Sequence, residues 1–304
     1  MNVIKAKLDI VFKKLFTSDN EVLMAFVGDI LDMPRGSIKE IKVENPNILP
    51  SMIDGKQAQL DLKMSVDDKI VNVEIQLCDK GNFRERSLYY WANMYTDELK
   101  RGEDYLDLKK TISINILNYN LFTECKEAYS RFSLLEETRH ELLTDKCSIL
   151  FFELTKVNNK VDRNDRKKLW LQLINAETEE ELDMLENTGV PEIQKAVVIL
   201  HEMSADEEMR EIARLREKAI LDERSAMNFA RREGRAEGRE EGRAEGRAEG
   251  RAEGREEGRA EGRVEGRVEG RAEGRAEERE TIIARLRKKG YTEEQICDLL
   301  GDEN

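Results

Sequence analysis

From Asp9 to Phe16 the apolar residues Ile10, Val11, Phe12, Leu15 and Phe16 recur at helical spacing, and residues 20–31 continue in the same period. Pro34-Arg-Gly36 breaks it. The period then changes to two. Ile38 to Val43 alternates and predicts a strand, with Pro46 and Pro50 marking the loop beyond it. Two further alternating stretches follow. In the first, Leu60, Leu62 and Met64 share one face, and Asp61 and Lys63 the other. In the second, Val71, Val73, Ile75 and Leu77 share a face opposite Asn72, Glu74 and Gln76. The polar run Asp67-Asp68-Lys69 between them predicts a turn, so the two strands form a hairpin whose polar faces lie on one side of a sheet. Residues 83–100 read as an amphipathic helix. Its apolar stripe is Leu88, Ala92, Tyr95 and Leu99, and Arg86, Tyr90, Asn93 and Asp97 occupy a polar face. Thr111–Leu117 and Ser148–Leu154 predict buried strands, and Ala128–Leu134 a weaker one.

Helices interleaved with strands over residues 1–160 predict a compact α/β domain. Residues 161–232 are helical by pattern and richly charged, an extension that packs on that domain at first and then leaves it. A small helical segment closes the chain at 278–304. Within it two short helices flank Gly290, the second opened by a Thr292/Gln295 capping box. Between lies a four-residue repeat, 233–277. From Glu233 to Ala276 the unit Glu-Gly-Arg-x recurs eleven times, x being Ala except for Glu240, Glu256, Val264 and Val268. A period of four against 3.6 residues per turn shifts the pattern by about 40° per unit, so no residue type keeps to one face. Like charges fall at i, i+4, and eleven glycines cost roughly 10 kcal/mol relative to alanine in a helix. A lone helix is disfavoured on both counts. Two readings stay open: a charge-balanced, disordered spacer, or chains that associate through the small residues, with right-handed winding.

The bulk numbers narrow the chemistry. The formal net charge is −13, and residues 1–232 alone carry 35 Lys/Arg against 43 Asp/Glu. That balance argues against non-specific affinity for nucleic acid. It leaves room for a local basic patch at Lys5, Lys7, Lys13 and Lys14, residues that a solvated helix face explains equally well. Four scattered cysteines, no Cys-x-x-Cys and two histidines argue against zinc and against a disulfide framework. No apolar run reads as a leader or a membrane span. The expected protein is soluble and cytoplasmic, with no membrane partner.

The hairpin carries the candidate chemistry. Asp61, Glu74 and the Gln76 amide converge on its polar side. Opposed carboxylates repel one another, which favours a hard divalent cation, and Mg²⁺ takes one or two carboxylates plus water and phosphate oxygens. The bland alternative is a pair of solvent-facing acids on an edge hairpin.

Three motifs in order carry a resemblance: Leu8-Asp9-x-x-Phe12-Lys13-x-x-Phe16, then Asp61…Glu74-Ile-Gln76, then Arg86-x-x-x-Tyr90-Trp91. Together they resemble the PD-(D/E)XK nuclease family transposases, or recombination-promoting nucleases, over roughly residues 5–160. The resemblance implies a restriction-endonuclease-like α/β core, a central mixed sheet flanked by helices. It implies Mg²⁺-dependent cleavage of DNA, with Mn²⁺ able to substitute. Asp61, Glu74 and a backbone carbonyl near Ile75 would hold the metal, and Asp9 would add an acidic group nearby. Gln76 stands where the wider superfamily has Lys. It orients water or a phosphate oxygen by hydrogen bonds but supplies no charge. Arg86 and Tyr90 are the expected phosphate contacts, with Lys63 a candidate source of charge. The alternative is a catalytically weak or inactive module that binds nucleic acid or protein, its repeat driving homo-oligomer formation.

Overall fold

The computed structural model describes residues 3–44, 61–99 and 102–301. Pro46, Pro50, Leu60 and the last residue of the expected 83–100 helix lie outside them. The chain divides into two units, Met1–Ala226 and Met227–Asn304.

The first unit is built on a mixed sheet. Among the described residues it has six strands: β1 (Ile41–Val43), β2 (Leu62–Val66), β3 (Lys69–Gln76), β4 (Lys110–Leu117), β5 (Tyr129–Phe132) and β6 (Cys147–Glu153). Their spatial order is β1-β2-β3-β4-β6-β5. β3 pairs in parallel with β4, and β4 with β6, while the outer pairings are antiparallel. The central strands are buried on both faces, as parallel strands covered by helices must be. The β2–β3 hairpin turns at Asp67-Asp68. Asp67 takes φ +50°, the left-handed conformation that a two-residue hairpin loop requires. Its carboxylate also accepts from the backbone N–H of Lys39 and Glu40, which diverts those residues from the sheet and shortens the expected Ile38–Val43 strand to Ile41–Val43.

One face of the sheet packs against α1 (Asp9–Thr17), α2 (Asn20–Ile30), α4 (Arg166–Asn175), α5 (Glu179–Glu186) and α6 (Pro191–Ala205). Leu62, Met64, Val71 and Val73 share this core with Phe12, Phe16, Phe26 and Trp170. Trp170 donates through Nε1 to Asp29, satisfying the indole in an otherwise apolar cluster. The hydrophobic core is thus continuous across residue 160 and includes the helices that follow it.

The other face carries α3 (Phe83–Asp97) over a smaller core of Phe83, Trp91, Leu117, Cys147, Ile149 and Phe151. The buried positions of α3 are Phe83, Ser87, Trp91 and Met94, whereas Leu88, expected in its apolar stripe, is 52 % exposed. The contact face is therefore turned by one residue, about 100°. Trp91 decides it: the larger aromatic is buried and its Nε1 donates to the Thr111 carbonyl.

α7 runs from Glu207 to Lys288, and α8 from Glu293 to Leu300. Met209 and Ala213 anchor the start of α7 in the core of the first unit. In the second unit the repeat is helical throughout, and the expected short helix before Gly290 is simply the end of α7. Ala, Glu and Arg are good helix formers, and along this stretch they win over the glycine cost and the i, i+4 repulsions. Gly290 takes φ +91°, and Thr292 and Gln295 make the reciprocal capping box expected of them. All four cysteines are free thiols. Among the described residues no helix is long and apolar enough to cross a membrane.

Candidate active site

Asp61 immediately precedes β2. The Leu62↔Val73 register sets it beside Glu74 on β3. The two residues clasp each other through the backbone: Asp61 N–H donates to Glu74 Oε1 (3.2 Å), and Ile75 N–H donates to Asp61 Oδ2 (2.8 Å). Asn72, two residues earlier on the same face of β3, donates to Glu74 Oε1 at 3.0 Å. Gln76 donates to Glu74 Oε2 at 3.4 Å and accepts from Arg86 Nη2 at 2.5 Å. Arg86 reaches in from α3, its guanidinium 4.7 Å from the Phe83 ring centroid and 6.0 Å from that of Tyr90. Its Nε is buried and has no hydrogen-bond partner among the described residues. The hairpin and α3 thus bring Asp61, Glu74, Gln76, Arg86 and Tyr90 to one end of β3.

Burial dominates the electrostatics. Glu74 is 2 % exposed. Desolvation and the neighbouring Asp61 charge push its carboxyl well above the usual range, against the pull of Asn72 and Arg86. Burial also raises Asp61, to about 6, although the Ile75 N–H and the charges of Lys13 and Arg216 favour its ionised form. Burial raises the Tyr90 phenol.

The other expected site residues lie around this pair. Asp9 opens α1, and Arg216 of α7 grips its carboxylate in a fork, Nε to Oδ1 at 2.8 Å and Nη2 to Oδ2 at 2.6 Å. Asp9 and Arg216 line a cleft of about 110 Å³ together with Asp61, Ile75, Gln76 and Glu223. Lys63 forms an ion pair with Glu44 at 3.0 Å. Arg216 is the residue that sequence reasoning missed. It lies 207 positions from Asp9 in a helix full of similar charges, and no local pattern marks it. A larger cleft between α2 and α6, about 380 Å³, has none of this chemistry. Its Arg35 and Arg166 are paired with Asp29 and Glu192.

A model of the PD-(D/E)XK nuclease family transposases matches residues 6–230. The chain belongs to this family. The match runs past residue 160 through α4–α6 into α7, the same stretch that shares the core of the sheet. No curated protein and no solved structure matches the chain.

The observed sheet and flanking helices are those of a PD-(D/E)XK nuclease, a hydrolase fold, and such nucleases generally use divalent metals. The donor set here fits one. Asp61 and Glu74 are adjacent, both are harder to ionise than free carboxylates, and a divalent cation would relieve both costs. Ile75 directs its N–H to Asp61, and its carbonyl shares that edge of β3, while the Gln76 carbonyl faces Asn118 on the other edge. Among the described residues no group of three His, Cys, Asp or Glu side chains forms a metal cage. Two carboxylates with a backbone oxygen suit Mg²⁺, which keeps several waters and takes phosphate oxygens.

Proposed function

We propose that this PD-(D/E)XK nuclease family transposase is a Mg²⁺-dependent DNA endonuclease, with Mn²⁺ able to substitute. The observation that carries the reading is the hairpin juxtaposition of Asp61 with the buried Glu74, each bonded to the other's strand. Asp61, Glu74 and the Ile75 carbonyl hold the metal. The ion, when bound, supplies a water of lowered pKa and neutralises charge on the scissile phosphate. Gln76, fixed between Glu74 and Arg86, orients water or a phosphate oxygen. Arg86 offers the N–H groups of its fork that Gln76 leaves unused to the DNA backbone, with Tyr90 beside it. The site works in the cytoplasm on cellular or foreign DNA, in recombination or in defence.

The test is nicking of supercoiled plasmid with and without Mg²⁺. Asp61→Ala is expected to abolish metal-dependent nicking while its Tm stays near wild type. Cleavage retained in that variant refutes the site.

Gln76 favours a second reading, because it brings no charge to the reaction. In that reading the first unit binds nucleic acid or protein and cleaves slowly or not at all. A Tm that Mg²⁺ does not move, in a protein that never nicks DNA, selects it. In both readings the repeat drives self-association. In its support, the eleven glycines of α7 lie bare along the helix: a Cβ added at any of them meets no other part of the protein within 4 Å, which leaves room for the close approach of a second copy.

A further inference from the structure

We propose that Arg216 is a substrate-contacting residue: its guanidinium binds the non-bridging oxygens of the scissile phosphate and supplies the positive charge that Gln76 lacks. The inference rests on the nuclease reading above and adds to it a residue from outside the three sequence motifs. α7 turns one face to the cleft. Arg216, Ile220 and Glu223 stand at i, i+4 and i+7, and all three line it beside Asp61 and Gln76. The Asp9 fork uses Nε–H and one N–H of Nη2. A guanidinium has five N–H donors, so three remain, two of them on Nη1. The Arg216 side chain is 42 % exposed, within reach of an entering backbone. Its charge already acts on Asp61 across the cleft.

Arg216 and Lys80 are the cations that line the cleft, and Lys80 is paired with Glu223; Arg86 approaches Gln76 from α3 and Lys63 is paired with Glu44, neither of them in the cleft lining. Lys13 also feels Asp61 but does not line the cleft. Asp9 becomes a positioning residue: a two-point grip fixes the plane of the guanidinium, and a planar fork matches phosphate oxygens as a lysine does not. Charge presented to the phosphate from α7 in place of position 76 accounts for a neutral side chain at Gln76 in the second motif.

The experiment uses the full-length chain carrying Arg216→Gln or Arg216→Lys. Three quantities are measured: plasmid nicking in Mg²⁺, the salt dependence of duplex binding in Ca²⁺ by fluorescence anisotropy, and the Tm shift on adding Mg²⁺. Arg216→Gln is expected to lower nicking roughly 100-fold and to reduce the slope of log K against log salt by about one, the signature of one lost phosphate contact. The Mg²⁺-induced Tm shift stays as in wild type, because Arg216 is not a metal ligand. Wild-type nicking with an unchanged slope overturns the proposal. So does faster nicking, which would mean that the Asp9–Arg216 pair holds the site shut. Should the Gln variant fail to unfold cooperatively, Arg216→Lys keeps the charge without the fork. It is expected to lose about tenfold, and wild-type nicking there also overturns the proposal. A wild type that shows no metal-dependent nicking sinks the nuclease reading instead, and the salt slope still decides whether Arg216 meets phosphate.

Discussion

Glu74 and Asp61 place two acidic groups where neither ionises readily, and that has a measurable sign. Asp61 moves from an ordinary 3.8 to about 6, and Glu74 moves upward with it. Between the unfolded and folded values the native state holds protons that the unfolded chain has released, so stability falls as pH rises through that window. Glu74→Gln removes one charge and keeps the acceptor for Asp61 N–H. It is expected to raise Tm at pH 8 by at least about 2 °C, the size of about 1 kcal/mol in a unit of this length, and to have no effect by pH 4. Thermal melts followed by circular dichroism at both pH values check this. Metal binding needs the ionised pair, so Mg²⁺ is expected to raise the wild-type Tm well above pH 6 and to leave it unmoved below pH 5. These residues were legible because alternation alone aligns Asp61, Glu74 and Gln76. Arg216 was not, since only the folded chain brings it to Asp9.

Among the elements, the strands with period-two patterning, β1 excepted, and the helices with strong apolar spacing emerge nearly at their expected bounds. α3 shows what the pattern leaves undetermined. Two stripes compete on it, Leu88-Ala92-Tyr95-Leu99 and Phe83-Ser87-Trp91-Met94, and the second wins because Trp91 fills the space over β4 and bonds the Thr111 carbonyl. That choice aims Arg86 and Tyr90 at β3. Trp91→Phe removes the indole donor to the Thr111 carbonyl and part of the buried ring, and is expected to cost about 1–3 kcal/mol, read as a lower urea midpoint at an unchanged m-value. Duplex affinity should weaken with it as the seat of Arg86 loosens. β5 was faint in the sequence for a related reason: it is an edge strand whose Arg131 and Phe132 are exposed, so its apolar signal is diluted.

At the scale of the whole molecule, the chemical motifs end before residue 160, while the first unit extends to Ala226. The charged pattern of residues 161–232 points to an extension packed on the α/β domain, and α4–α6 go further, burying Leu169, Trp170, Leu173, Ile193, Val197 and Leu200 in the same core as β2 and β3. The repeat was legible as a period and a glycine cost, though not as a helix. Its glycines give an assembly test. Full-length protein is expected to sediment as an oligomer and a 1–232 truncation as a smaller species, and equal masses for both remove the self-association proposal. Replacing Gly246, Gly250, Gly254 and Gly258 by Ala should raise helicity in isolation by roughly 0.8–1 kcal/mol per site. If close backbone approach holds the copies together, the same change should dissociate them in sedimentation. The uniformity of the repeat has one more consequence. Within the second unit, an in-frame gain or loss of a single repeat in the gene keeps the composition and charge pattern, yet it shifts the end of the repeat against its own start by about 6 Å along the helix axis and about one-ninth of a circle. Copy number therefore sets the angular phase of the last repeat against the first, and about nine units must come or go before that phase is restored.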